Sequence, residues 1–166
     1  RRWIDTAERA RQVLHAAAMV TVVDDREGDI YGKWARVAGG NVHLLTRSMH
    51  DRALVGGRSM YEAAAGFPVA DTRTIALVPR ANRPSRQAAL TLRFGRVSIR
   101  KPQNAAGGLP KAVELSLIEV VERNPPPQAE PLHWYLLTSH AVDDVAAAWQ
   151  IVDWYRRRWT IEQFFR

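Results

Sequence analysis

The sequence predicts an α/β fold interrupted by an all-β, arginine-rich segment. Three observations carry that prediction. An amphipathic helical pattern leads into a β-branched apolar run that ends on a cluster of acids. The middle of the chain then reads as successive strands separated by turns rich in Gly and Pro. After a proline-rich linker, one strand and one long helix restore the opening pattern. With 166 residues, 46% of them hydrophobic and 25% charged, the chain suits one globular domain with a real core rather than several.

Each element follows from local pattern. Apolar residues at Ala7, Ala10, Val13, Leu14 and Ala17 keep the helical period, so a helix is expected over Ile4 to Ala18, starting near Asp5 or Thr6. Met19 to Val23 is uniformly apolar and β-branched, as in a strand buried on both faces of a sheet. Asp29 to Val37 suggests a short helix stopped by Gly39 and Gly40, and Val42 to Thr46 a second strand. Further strands are expected at Thr72–Pro79, Ala88–Phe94, Val97–Lys101 and Val113–Val121, with Gly95 marking a tight hairpin. The linker Asn124 to Pro131 holds four of the nine prolines. Trp134–Thr138 then reads as a strand, and a helix follows from Val142 with Asp143 and Asp144 in its first turn.

Composition narrows the function classes. No run reaches the roughly 18 apolar residues of a membrane span, and no signal-peptide pattern opens the chain, so a cytoplasmic protein with no membrane partner is expected. There is no cysteine, which excludes disulfides and thiolate metal sites. The net charge of +7 comes almost entirely from Arg, whose planar fork suits phosphate, and nucleic acid is the natural partner. There is no glycine-rich phosphate loop, no G-x-S-x-G and no paired-histidine zinc spacing.

Two constellations carry chemistry. Asp24-Asp25-Arg26-Glu27-Gly28-Asp29 follows a strand end, where clustered carboxylates need a cation, an Arg partner or full solvation. A Mg²⁺ site uses one or two such carboxylates together with phosphate and water. The local sequence does not choose between Asp24 and Asp25, and a solvated loop of capping acids is the plainer alternative. The second is Tyr155, Arg158 and Glu162, whose offsets place them on one helix face. Its plainer alternative is an exposed Arg–Glu pair beside core aromatics.

Taken together, these stretches resemble the DDE transposases of bacterial insertion sequences, the group with a Tyr-(2)-Arg-(3)-Glu-(6)-Lys signature. Tyr155, Arg158 and Glu162 match its first three elements, and its Lys would fall three residues beyond Arg166. Asp25-Arg26-Glu27-Gly28-Asp29-Ile30 is similar to the family's Asp-Arg-Glu-x-Asp-Ile motif, which singles out Asp25. Arg47-Ser48-Met49-His50, Arg83-Pro84-Ser85-Arg86 with Leu90–Arg93, Asn124-Pro125-Pro126 and Trp134–Ser139 extend the likeness over most of the chain.

The resemblance implies a ribonuclease H-like core, incomplete in this chain and interrupted by an all-β insertion domain. Residues 1–52 would be its middle part, 53–131 the insertion, and 132–166 the return strand and catalytic helix. It implies DNA transposition and recombination: cleavage and joining of double-stranded transposon-end DNA at a two-metal site for Mg²⁺ or Mn²⁺. Asp25 and Glu162 would be catalytic residues and metal ligands, while Arg47, Tyr155 and Arg158 would hold DNA phosphate. Trp134 would stack on a flipped base, or else serve as a core strand aromatic. A homodimer on DNA is implied as well. The family's first catalytic Asp has no counterpart here, since Asp5 belongs to a helix start. The expectation is therefore an internal piece of such an enzyme, inactive in strand transfer by itself and binding DNA weakly and in a salt-sensitive way; the alternative is a non-catalytic DNA-binding remnant.

Overall fold

The computed structural model describes residues 2–77 and 85–164, the side chains of 159–164 excepted. Its strands are β1 (Val20–Asp24), β2 (Val42–Arg47), β3 (Asp71–Leu77), β4 (Arg86–Arg100), β5 (Ala112–Arg123) and β6 (His133–Thr138). Its helices are α1 (Arg2–Val13), α2 (Tyr31–Arg36), α3 (Met60–Gly66) and α4 (Val145–Phe164). Among the described residues the strands form one sheet in the order β1-β2-β6-β5-β4-β3. Only the β1–β2 pair is parallel; every other neighbour is antiparallel. The α/β class expected from the sequence is therefore present. The strands of the 53–131 segment continue the sheet of the flanking segments, because β5 pairs with β6 and β6 with β2.

Strict alternation sorts the core onto two faces. Leu45, Ile118, Val120 and Leu136 face α4 and pack with its Ala148, Ile151, Val152 and Tyr155. Their sequence neighbours Leu44, Leu117 and Leu137 face the other way, toward Tyr31 and Trp34 of α2 and Met60 and Ala64 of α3. The α4 residues recur at offsets of three and four, the spacing of a buried helical stripe. Two polar links hold the same helix to the sheet's far edge: Trp149 Nε1 donates to Asp71 at 2.7 Å, and Arg73 pairs with Asp153 at 3.0 Å.

Several expectations are corrected. Gly95 is not a hairpin: β4 runs unbroken for 15 residues and pairs with β5 from Ala89 to Arg100. Its glycine answers a close approach, since a Cβ there would lie 2.5 Å from Cζ of Phe67. β1 is not buried on both faces. Among the described residues it is an edge strand with β2 as its one neighbour, and Val20 to Val23 are all partly exposed. The first helix ends at Val13, short of the expected Ala18, and α4 starts at Val145 rather than Val142. Asp144 precedes α4 and caps it, accepting from the Ala147 N–H at 2.7 Å. The helix α3 was not anticipated; Ser59 and Glu62 form its capping box. In the arginine-rich segment, Arg86 and Arg93 are not free surface charge but pair with the buried Glu122 and Glu119. Arg80 and Arg83 lie outside the described residues. No described helix is long and apolar enough to cross a membrane.

The junction of β1, β2 and α4 carries a stacked histidine pair. The rings of His43 and His140 lie 3.9 Å apart, Thr21 Oγ1 meets His140 Nε2 at 2.9 Å, and Trp154 closes the group at 5.2 Å. Burial first, and His43 second, pull the His140 imidazole down to about 4.

Two outcomes follow from this packing. Gly95→Ala is expected to cost about 1–3 kcal/mol by overpacking against Phe67, read from the urea midpoint, and Phe67→Ala in the same chain should relieve part of that loss. His140 is neutral in the folded state over a range where the unfolded chain takes up a proton. Its contribution is present in full above about pH 6.5 and is lost as pH falls toward 4. The urea midpoint should therefore drop over that window, and His140→Gln should flatten the drop; an identical profile for both proteins would refute the assignment.

Candidate functional site

The end of β1 decides which acid faces which helix. Asp24 is the last strand residue and points toward α2, where the ammonium of Lys33 pairs with it; both side chains are almost fully buried. Burial pulls Lys33 down to about 8 even with the carboxylate beside it. Gly28 allows this arrangement, because a Cβ there would fall 2.4 Å from Cβ of Asp24. Asp25, one residue on, stands outside the strand and faces α4. It caps the short 3₁₀ turn Arg26–Gly28, its Oδ1 accepting from the Arg26 N–H at 2.8 Å.

The buried stripe of α4 turns polar where it passes this strand end. Tyr155, fully buried, donates its hydroxyl to Asp25 Oδ1 at 3.4 Å, and Arg158 Nη2 donates to Asp25 Oδ2 at 3.3 Å. The guanidinium also sits 5.9 Å from the centre of the Tyr155 ring. Arg47, at the end of β2, donates to the His133 carbonyl at 3.2 Å and lies close enough to act on the Tyr155 hydroxyl. Burial first and the Asp25 carboxylate second push the Tyr155 phenol up, against the opposing pull of Arg47 and Arg158. The phenol thus keeps its proton and acts as a donor. The Asp25 side chain remains 45% exposed, so the carboxylate is held from behind and open in front.

Of the residues singled out from the sequence, Asp25, Arg47, Tyr155 and Arg158 come together. Trp134, on β6, meets the Tyr155 ring edge-on at 5.4 Å and is only 8% exposed. Its place is that of a core aromatic supporting Tyr155, and stacking on a base would require one of its faces to be uncovered. The side chain of Glu162 lies outside the described residues. Its backbone is in α4, one turn beyond Arg158. Among the described residues, no three His, Cys, Asp or Glu side chains cluster closely enough to hold a metal ion. Asp25 offers a single open carboxylate.

Sequence reasoning missed the scaffold behind the site. Asp29 is buried and accepts from Ser48 Oγ at 3.0 Å, from the Met49 N–H at 3.0 Å, and from Arg52 Nε at 3.0 Å and Nη2 at 2.6 Å. It ties the stretch after β2 to the acidic turn after β1. The signal available was an acid four residues beyond Asp25, within a turn too short for both to face the same way. Lys33 carried no signal of its own, because its partner is set by the packing of α2.

Lys33→Met is expected to cost about 3–5 kcal/mol, because it leaves Asp24 buried without a counter-charge. Adding Asp24→Asn should recover much of that stability. Chemical denaturation of the single and double variants decides the point, and a Lys33→Met protein as stable as the parent would show that the pair does not hold the turn.

A scan against models of known protein families finds no family whose model matches this chain.

Proposed function

We propose that this chain is part of a metal-dependent enzyme that cuts and joins DNA phosphodiesters, of the DDE transposase type, built on a ribonuclease H-like core. One observation carries the reading: Asp25 is met by Tyr155 and Arg158 across 130 and 133 residues of chain. These are the residue types that the resemblance places around a scissile phosphate. The partial exposure of Asp25 is in keeping with it, since it leaves the carboxylate accessible to a metal ion.

Asp25 and Glu162 would hold Mg²⁺ or Mn²⁺. Asp25 fits that task because its carboxylate is oriented by three donors, the Arg26 N–H, Tyr155 and Arg158, while remaining open. When bound, the metal supplies Lewis acidity and lowers the pKa of the attacking water or hydroxyl. The chain's own residues then have separate tasks. Tyr155 donates its one O–H to Asp25 and with Arg158 orients that carboxylate, while Arg158 and Arg47 supply positive charge for a DNA phosphate. The apolar body of Trp134 holds the Tyr155 ring in place. Transposon-end duplex DNA bound by a homodimer is the partner this reading requires.

The test uses the protein encoded when the reading frame is extended in both directions. It is expected to nick duplex DNA only with Mg²⁺ or Mn²⁺. Asp25→Ala or Glu162→Ala should each lower that rate by about a thousandfold or more, the scale of several kcal/mol in the transition state. Cleavage retained by either variant would refute the assignment, and DNA binding without any metal-dependent cleavage would favour a non-catalytic binder.

A further inference from the structure

A groove of about 400 Å³ lies where the chain after β2 crosses the end of β4, lined by Arg52, Ala53, Arg100, Lys101, Pro102 and Gln103. Backbone pairing builds it: the Arg100 N–H donates to the Ala53 carbonyl at 2.9 Å, and the Lys101 N–H to the Lys111 carbonyl at 2.8 Å. Three of its six lining side chains are cationic and none is acidic. Arg52 spends Nε and Nη2 on Asp29, leaving Nη1 for another acceptor. Among the described residues, neither Arg100 nor Lys101 has an acidic partner. On the same sheet Arg73, Arg86 and Arg93 are each paired with a carboxylate, whereas Arg96 and Arg123, like Arg100, make no ion pair among the described residues. Adjacent unpaired cations repel, and an anion seated between them removes that cost.

We infer that this groove binds a nucleic-acid sugar–phosphate backbone, as a second phosphate contact beyond the Asp25 site. The lining favours a backbone over a free nucleotide. No aromatic ring is present to stack a base and no carboxylate to hold a ribose hydroxyl, so phosphate is the group it can recognise. Arg52 connects the two places. Its partner Asp29 lies four residues after Asp25 in the same turn, so a strand engaging both would pass over one rigid unit. The inference rests on reading the Asp25 site as a phosphodiester site.

The test is the salt dependence of duplex binding by the chain Arg1–Arg166, read by fluorescence anisotropy on a 40-base-pair duplex of arbitrary sequence. Arg100→Gln/Lys101→Gln should lower the slope of log K against log[salt] by about 2, one for each lost phosphate contact. The affinity loss should be the same on a second, unrelated duplex. Both side chains are at least partly exposed, so the thermal unfolding curve should be unchanged, and the charge-keeping Arg100→Lys/Lys101→Arg chain should restore the slope. Inorganic phosphate, titrated in parallel, separates the two sources of the anion. If phosphate binds and the double variant abolishes that binding while leaving the duplex slope intact, the groove is a free-anion site and the inference falls. If the parent chain binds duplex, Arg158→Ala weakens binding and the double variant has no effect, the groove is excluded while the Asp25 reading stands. If the parent binds no duplex at all, both fall.

Discussion

The ion pair between Asp24 and Lys33 is the interaction on which the site depends. β1 ends on Asp24 and Asp25 follows in extended backbone, which sends successive side chains to opposite faces. By committing Asp24 to the α2 face, Lys33 leaves Asp25 to the α4 face, where Tyr155 and Arg158 are waiting. A buried pair of this kind adds little net stability, yet losing either member is costly, so its value lies in specifying direction. The contact between Gly28 and Asp24 and the Asp29 network work to the same end: they hold the turn after β1 rigid while leaving one carboxylate open.

The sheet explains how residues so distant in the chain arrive together. β1 and β2 lie side by side in parallel, and β6 runs antiparallel to β2, its residues Leu136–Thr138 pairing with the end of β2 so that His133–Tyr135 reach past that end. The strands β3, β4 and β5 extend that sheet on the far side of β6, and α4 runs across the common face. The apolar stripe of α4 that seals this face continues into Tyr155 and Arg158. Burial of the stripe, at about 1.5–3 kcal/mol for each large apolar side chain, therefore also sets the position of the functional end of the helix.

Legibility varied with how local the cause was. The strands and α4 were readable because β-branched runs and three–four spacing are properties of short windows. The short α3 was missed because it is set by a capping box and by Met60 and Ala64 fitting a cavity under the sheet. Gly95 was misread because a glycine between strand-like runs has two meanings, a turn or a close approach, and only Phe67 distinguishes them. Arg86 and Arg93 looked like surface charge because their partners, Glu122 and Glu119, lie on the neighbouring strand 36 and 26 residues away. On these strands the arginines without such a partner, Arg96, Arg100 and Arg123, remain as available positive charge among the described residues.

By itself the sequence determined the α/β class, the helical face shared by Tyr155, Arg158 and Glu162, and the presence of two acids at a strand end. Each depends on the period of the backbone and on side chains within one or two turns of one another. The tertiary structure alone decided that β1 is an edge strand, that Asp24 is spent on Lys33, that Trp134 backs Tyr155, and that Asp25 meets Arg158. Those are choices between alternatives of nearly equal local energy. They are settled by which face each helix covers and which strand lies alongside, and contacts of that range leave no pattern in a short window of sequence.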